Sequence, residues 1–414
     1  GRRLFCPGMV LDWGPRGRAG VPRLTPMMGI GGADGGRNWT NGVYFSGMKN
    51  SAPIVYFSKM VQAFPLMVPV QRLTGGVYVS NRASTVRSFR RKFPDLPAHR
   101  CWRVAAPLSS GWHDLRRAKV IVAGASHTSL LKSFPGRKVM IFHGCVNRLT
   151  RDVVASLASF DHVLLQSPRL ERMLRRTDWN IDFSYSVPGY VAFDHFPPPS
   201  SEGRQTILSR LGLDPTRQTV VYTPTRSIYG SWCDHAEAIA REVSEEYNLV
   251  LRPHPHQVNC GNAEEKASFR TVTKLLESRR SGVIDMDGCS LGELLSVADL
   301  LISDANSTAE EALFYDVPQL FTEIYSREKW LEQYEREGLD DESIEELMGL
   351  YECGVSFPRL GVSNWNEAVV QALEKGRSLS SVRQAYFTHV FGSRTDEPAA
   401  RRVADELTRM VLQT

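Results

Sequence analysis

Leu300-Leu301-Ile302-Ser303-Asp304-Ala305-Asn306-Ser307-Thr308-Ala309-Glu310-Glu311-Ala312 is the stretch on which the fold turns. Leu300–Ser303 is an apolar run of strand length with no polar face, the pattern of a parallel strand covered on both sides. Small polar residues follow, and a helix opens near Ser307. Ser307 and Glu310 have the spacing of a capping box. A helix N-terminus presents unpaired N–H groups and a partial positive charge, which suits a pyrophosphate. Its place beyond the carboxyl end of a parallel strand is where open α/β sheets bind ligands. Ser303, Asp304, Asn306, Ser307, Thr308 and Glu311 are therefore candidate donor-binding residues; the alternative is an ordinary capped helix.

The same alternation extends both ways. Thr219–Tyr222, Leu249–Leu251, Val283–Asp285 and Gln319–Phe321 read as further strands, with helical patterns at about 233–247, 264–278 and 290–298. Upstream, Ile54–Ser58, Gly76–Ser80, Val120–Gly124, Lys138–Phe142 and His162–Gln166 read as strands, interleaved with helical stretches such as Thr85–Phe93 and about 151–159. Strands alternating with helices predict a mostly parallel sheet. The Pro- and Ser-rich stretch from Phe196 to Gly203 is the clearest linker. The expected organisation is a Gly/Arg-rich segment over 1–50, a Rossmann-like acceptor domain over 51–197, a Rossmann-like nucleotide-donor domain over 204–375, and C-terminal helices over 376–414. The helices, at about 366–375, 379–390 and 396–412, are expected to brace the domains. Gly29–Gly36 lacks the flanking strand and helix that a phosphate-binding glycine loop needs, so it reads as a loop or lid.

Three other strand ends carry polar clusters. Arg252-Pro253-His254-Pro255-His256 follows a strand, and its prolines stiffen the loop that aims His254. An imidazolium there can pair with phosphate or protonate a leaving group. His254 and His256 lack a third ligand at metal-site spacing. His143 follows the strand Lys138–Phe142, and Gly144 beside it allows close backbone approach. Thr223, Thr225 and Arg226 end the first strand of the second domain and suit a phosphate or a ribose.

Composition bounds the partners. The 414 residues exceed one ordinary core. No run approaches the roughly 18 apolar residues of a membrane span. The net charge of +5 suits anionic substrates without requiring nucleic acid. The basic runs Arg87–Lys92 and Arg172–Arg176 read either as solvated helix faces or as contacts to an anionic membrane surface. The seven cysteines are scattered singly, which reads as reduced thiols rather than a disulfide frame or zinc site.

Order and spacing together bring a family into view. The chain resembles the CDP-glycerol glycerophosphotransferases of teichoic acid and capsule synthesis, which have the GT-B fold, two Rossmann-like domains facing across a cleft. Phe142-His143-Gly144 stands where the family has Trp-His-Gly, and Gly189–Asp194 is similar to its Gly-Tyr-Pro-Arg-Asn-Asp segment. Leu211–Leu213 with Val220–Arg226, Arg252–Pro255, and Ser290–Ser307 with Val317–Phe321 match further elements, from about 115 to 330. Ser303–Ala312 is also similar to a segment of the UDP-N-acetylglucosamine 2-epimerases. The resemblance implies an enzyme that moves a glycerophosphate-type group from a CDP-activated or other nucleotide-diphospho donor to a hydroxyl of a glycan or lipid-linked acceptor. It requires no cofactor or metal and involves no nucleic acid. It places the protein in the cytoplasm, either free or peripheral at the inner face of the plasma membrane. His143 would be the general base, and His254 with Arg252 and Ser307 would hold the diphosphate. Thr223, Thr225 and Asn306 would complete the pocket. The alternatives are a nucleotide-sugar glycosyltransferase, an epimerase, and a binding module without catalysis.

Overall fold

The β-rich stretches pair entirely in parallel, because each is joined to the next by a helix rather than a hairpin. The computed structural model describes residues 53–126, 128–225, 230–254, 262–286, 288–323 and 327–413. The Gly/Arg-rich segment 1–50, Arg226 and His256 lie outside the described residues. All described residues belong to one compact unit, Tyr44–Thr414.

The first sheet comprises β1 (Ile54–Phe57), β2 (Val77–Ser80), β3 (Ala98–Arg100), β4 (Val120–Ala123), β5 (Arg137–Met140), β6 (His162–Leu164) and β7 (Ser184–Ser186), in the order β3-β2-β1-β4-β5-β6-β7. The second comprises β8 (Thr219–Thr223), β9 (Asn248–Leu251), β10 (Gly282–Ile284), β11 (Leu300–Ser303), β12 (Gln319–Phe321) and β13 (Val355–Ser356), in the order β10-β9-β8-β11-β12-β13. Each order reverses once, between β1 and β4 and between β8 and β11, and such switch points open a crevice beyond the carboxyl ends of the strands. Both faces of each sheet are covered. Ile54 and Tyr56 join one apolar cluster while Val55 and Phe57 join another, and Val221 faces away from Val220 and Tyr222.

The structure adds what periodicity does not show. β3, β7 and β13 are edge strands of three, three and two residues. Ala-His-Arg, Ser-Tyr-Ser and Val-Ser offer no apolar alternation, so the neighbouring strand rather than local propensity defines them. The helix Phe64–Thr74 forms despite Pro69 in its interior. Phe64, Leu66, Met67, Val68 and Val70 are buried there, and each fully buried side chain contributes about 1.5–3 kcal/mol, which offsets a proline penalty near 3 kcal/mol. The linker is shorter than its composition implies: Ser200 caps a helix that starts at Ser201, its side chain accepting from the Gly203 amide.

Chain from beyond β12 returns to the first sheet. Tyr334, Leu339, Ile344, Leu347 and Met348 pack into one of its apolar clusters. Val403, Leu407 and Met410, from the helix Ala399–Gln413, pack into the other. Tyr386, Phe387 and Val390 stay with the second sheet. The turn Val191–His195 contributes Phe193, stacked on Phe314 at 4.8 Å and edge-on to Phe391 at 4.9 Å.

Candidate functional site

In the second sheet the site begins where β8 and β11 lie side by side, Ser303 opposite Thr223. Both side chains are buried, and neither hydroxyl oxygen has a hydrogen-bond partner. Beyond them Ala305 has φ +50°, a left-handed conformation that a side-chain-bearing residue adopts at a cost. That turn directs Asp304 inward. One of its carboxylate oxygens accepts from the amides of Thr225 at 2.5 Å and Ser231 at 3.1 Å. The other accepts from the Thr322 hydroxyl at 2.5 Å and from the Ser231 hydroxyl. Burial raises the Asp304 pKa against these bonds. Asp304 thus ties together the segments that follow β8, β11 and β12.

The expected capping box does not form. Asn306, not Ser307, caps the helix Ser307–Ala312, its side-chain oxygen accepting from the amides of Thr308 at 3.0 Å and Ala309 at 3.2 Å. Its amide nitrogen donates to the Thr223 carbonyl at 3.0 Å. Two of the N-terminal N–H groups offered to a diphosphate are therefore already satisfied. Ser307 and Thr308 are half-buried at the head of this helix. Glu310, the expected box partner, turns the other way. It forms a two-pronged ion pair with Arg169, both bonds 2.7 Å long and both side chains sealed from solvent. Arg169 sits in the helix Pro168–Arg176 that follows β6, so this pair joins the two halves. Glu311 is also buried and accepts from the Tyr190 hydroxyl at 2.8 Å. Burial pushes the Glu311 carboxyl up to about 7, with Glu310 adding to the rise while Tyr190 and Arg252 oppose it.

Arg252 follows β9. Its Nη1 donates to Asp285 Oδ2 and to the Cys289 carbonyl, both at 2.9 Å, with a quarter of its side chain exposed. His254 stands half-buried two residues on, and Thr225 is half-buried beyond β8.

In the first sheet the site lies beyond β4 and β5. Phe142 has φ +63°, and His143 follows it. His143 Nδ1 lies 2.9 Å from the Gly124 carbonyl. A carbonyl only accepts, so Nδ1 carries the hydrogen and Nε2 of the neutral ring holds a lone pair. His143 is exposed, yet burial by surrounding atoms lowers its pKa, with the Gly124 bond opposing. Gly144 is not forced by packing, since a Cβ there would meet open space. Gly124 is: a Cβ would lie 2.9 Å from Ala63 Cβ. Gln166 holds the loop after His143 by both ends of its amide, donating to the Gly144 carbonyl at 2.7 Å and accepting from the Val146 amide at 2.9 Å. Cys145, in the same loop, reaches Glu310 Oε2 at 3.9 Å.

This last contact brings the two clusters together: the loop bearing His143 touches the helix capped by Asn306. Sequence reasoning missed Gln166, Arg169 and Tyr190, and misassigned Glu310. The available signal was a pair of adjacent glutamates and an arginine on helix faces otherwise apolar. Among the described residues no group of three or more His, Cys, Asp or Glu could hold a metal ion.

No family model and no curated protein sequence matches the chain. Solved structures do. A structure of the wall teichoic acid polymerase TagF matches with a TM-score of 0.59 at 16% identity, covering 87% of this chain and 89% of that one. A variant of TagF soaked with CDPG matches over the same shares with a TM-score of 0.60 at 16% identity. HepE of Anabaena, in complex with UDP and glucose, matches with a TM-score of 0.51 at 10% identity, covering 88% of this chain and all of that one. The fold is GT-B. At these identities the likeness is one of architecture. In that architecture the contacts of Cys145 and Arg169 with Glu310 lie where the two Rossmann-like halves meet.

Proposed function

We propose that this GT-B protein is a transferase that moves a glycerophosphate-type group from a CDP-activated donor to a hydroxyl of a glycan or lipid-linked acceptor, in the synthesis of a cell-surface polymer. The observation that carries the reading is His143, whose tautomer is set by the Gly124 carbonyl and whose loop meets the helix Ser307–Ala312. An acceptor hydroxyl gives its proton to His143 Nε2 as its oxygen forms a bond to the phosphorus of the transferred group. The bond from that phosphorus to the bridging oxygen breaks, and CMP leaves. Such transfer needs chiefly positioning and charge stabilisation. Arg252, through the N–H groups not used on Asp285 and Cys289, and His254 hold the diphosphate and stabilise the departing CMP. Ser307, Thr308 and Thr225 line the donor pocket, which Asp304 and Asn306 hold in shape, with the unpartnered hydroxyls of Thr223 and Ser303 behind it.

Support for the CDP-activated donor comes from the motif pattern around His143 and Arg252–Pro255, and from TagF, whose structure was soaked with CDPG. The likeness to HepE with UDP and glucose favours a second reading, a glycosyltransferase using a nucleotide sugar, in which the attacked atom is carbon. Calorimetric titration with CDP-glycerol, CDP-ribitol, UDP-glucose and CMP separates the two. The first reading expects binding of the cytidine ligands at least about tenfold tighter than UDP-glucose, equivalent to about 1.4 kcal/mol. The reverse order overturns it in favour of the second. Absence of binding to every nucleotide overturns both.

A further inference from the structure

His143 is held at one point and carried by a loop that does not hold itself. Its Nδ1 lies 2.9 Å from the Gly124 carbonyl. Gly124 is fixed in turn, its amide donating to the Phe57 carbonyl at 3.2 Å. One bond sets a direction and leaves the ring free to swing about it. From Ile141 to Thr150 no residue is in a helix or strand, so the polar backbone groups there need partners from elsewhere. Gly144 has open space where a Cβ would stand. Packing therefore does not anchor the loop at that point, and a glycine backbone is the most adaptable of all.

Gln166 supplies the missing partners. It is 4% exposed, and its amide donates to the Gly144 carbonyl at 2.7 Å and accepts from the Val146 amide at 2.9 Å. A carbonyl only accepts and a backbone N–H only donates, so the two bonds fix which way the side-chain amide faces. Both neighbours of Gln166 are pinned. The Leu165 amide donates to the Ser186 carbonyl at 2.8 Å, and the Ser167 hydroxyl accepts from the Leu170 amide at 3.4 Å at the head of the helix Pro168–Arg176. Arg169, in the first turn of that helix, pairs with Glu310 of the helix Ser307–Ala312. The stretch Gln166–Arg169 thus grips the loop behind His143 with its first residue and a helix of the second half with its last.

We propose that Gln166 is a positioning residue for His143: by holding Gly144 and Val146 it sets where the imidazole Nε2 stands relative to the helix Ser307–Ala312, and so relative to the group transferred. The inference rests on the reading of His143 as general base. Misplacing a reacting group by about 1 Å costs on the order of 100-fold, so a side chain that touches no substrate controls turnover. Donor binding does not pass through this loop and is left as it is.

Two substitutions of the full chain test the proposal, with CMP release from CDP-glycerol onto a synthetic lipid-linked disaccharide as the assay. Gln166→Leu removes both bonds at similar volume. It should lower kcat on the order of 10- to 100-fold with the Kd of CMP unchanged. Added to His143→Ala it should lower kcat hardly further, since a residue acting through His143 then has nothing to act on. Gln166→Glu separates positioning from packing. Burial raises the new carboxyl's pKa. Protonated, it donates to Gly144 and accepts from Val146 as Gln166 does; ionised, it loses the first bond and turns a negative charge on a carbonyl. Its kcat relative to the unsubstituted protein should be near one at about pH 5 and fall as pH rises, with circular dichroism over the same range reporting that the chain stays folded. A readout without turnover is nitrogen NMR of the histidine rings, the His143 signals being those lost in His143→Ala. They should show the hydrogen on Nδ1 in the unsubstituted protein and a mixture of tautomers in Gln166→Leu. Full multiplication of the Gln166→Leu and His143→Ala effects, a pH-independent ratio for Gln166→Glu, or an unchanged His143 tautomer in Gln166→Leu overturns the proposal. No CMP release by the unsubstituted protein, with the tautomer change present, overturns the proposed reaction and leaves the positioning standing.

Discussion

The tips of β5 and β11 are built alike and do opposite things. Each runs into a residue forced to positive φ, Phe142 and Ala305, and each carries an ionisable group. Asp304 at the second tip accepts four hydrogen bonds from the protein. His143 at the first has one bond, to Gly124, and faces solvent. The lesson is one of spare valence. A polar group whose hydrogen-bonding capacity the protein has filled holds a site in shape, and one with capacity left over is free to act on a ligand. A second contrast lies within one helix, where Arg169 is sealed against Glu310 across the halves while Arg175 pairs with Glu171 at the surface.

The largest effect is expected at that buried pair. Arg169→Ala leaves Glu310 charged and unpaired, and removing one partner of such a pair costs about 3–5 kcal/mol. Denaturant unfolding should show this loss, and adding Glu310→Gln to Arg169→Met should recover much of it. A loss for the Arg169→Met, Glu310→Gln double variant as large as for Arg169→Ala would mean that the guanidinium matters for more than its partner.

The two strand tips should then separate stability from turnover. Asp304→Asn turns a donor toward N–H and O–H groups that need an acceptor, and about 2–4 kcal/mol of stability should go with two of them unsatisfied. His143→Ala should leave the melting temperature almost unchanged and lower turnover about 10²-fold. On the proposed reaction, the acid limb of the unsubstituted protein's rate profile should have its midpoint below the ordinary histidine value of about 6.5, since burial lowers the His143 pKa. If instead His143→Ala melts early and turns over normally, the contrast between the tips is wrong.

Glu311 sharpens the comparison through pH. Its carboxyl is raised from 4.5 to about 7, so the folded state penalises its ionised form. The penalty is absent below 4.5, grows as pH rises toward 7, and is constant above. Glu311→Gln keeps an acceptor for Tyr190 and removes the penalty. It should therefore raise the melting temperature by a few degrees at about pH 8, with the gain vanishing near pH 4. A gain independent of pH would assign the effect to packing. The smallest effect is expected at Arg175→Ala, which should leave the melting temperature where it is, because an exposed pair one turn apart is screened by water.

Much of the frame was legible in the sequence. The inner strands of both sheets were, because a strand covered on both faces must be apolar throughout, as Val120–Ala123 and Leu300–Ser303 are. So were the three C-terminal helices and the positions of His143, Arg252 and Asn306 at strand ends. The roles of Ser307 and Glu310 were not. Spacing allows a capping box there, but the choice between Asn306 and Ser307 as cap, and between Ser307 and Arg169 as partner of Glu310, depends on what lies across the gap.

The sequence by itself determined that two parallel α/β halves would form and that their polar residues would gather at strand tips, since apolar period and turn chemistry are local properties of the chain. Only the tertiary structure decided which of those residues are spent and which are free. Arg169 lies 141 positions from Glu310, and no local pattern connects them. Hydrogen-bond capacity is filled by whichever groups packing brings within about 3 Å, so the difference between Asp304, with four bonds accepted, and His143, with one bond made, exists only once both sheets are in place.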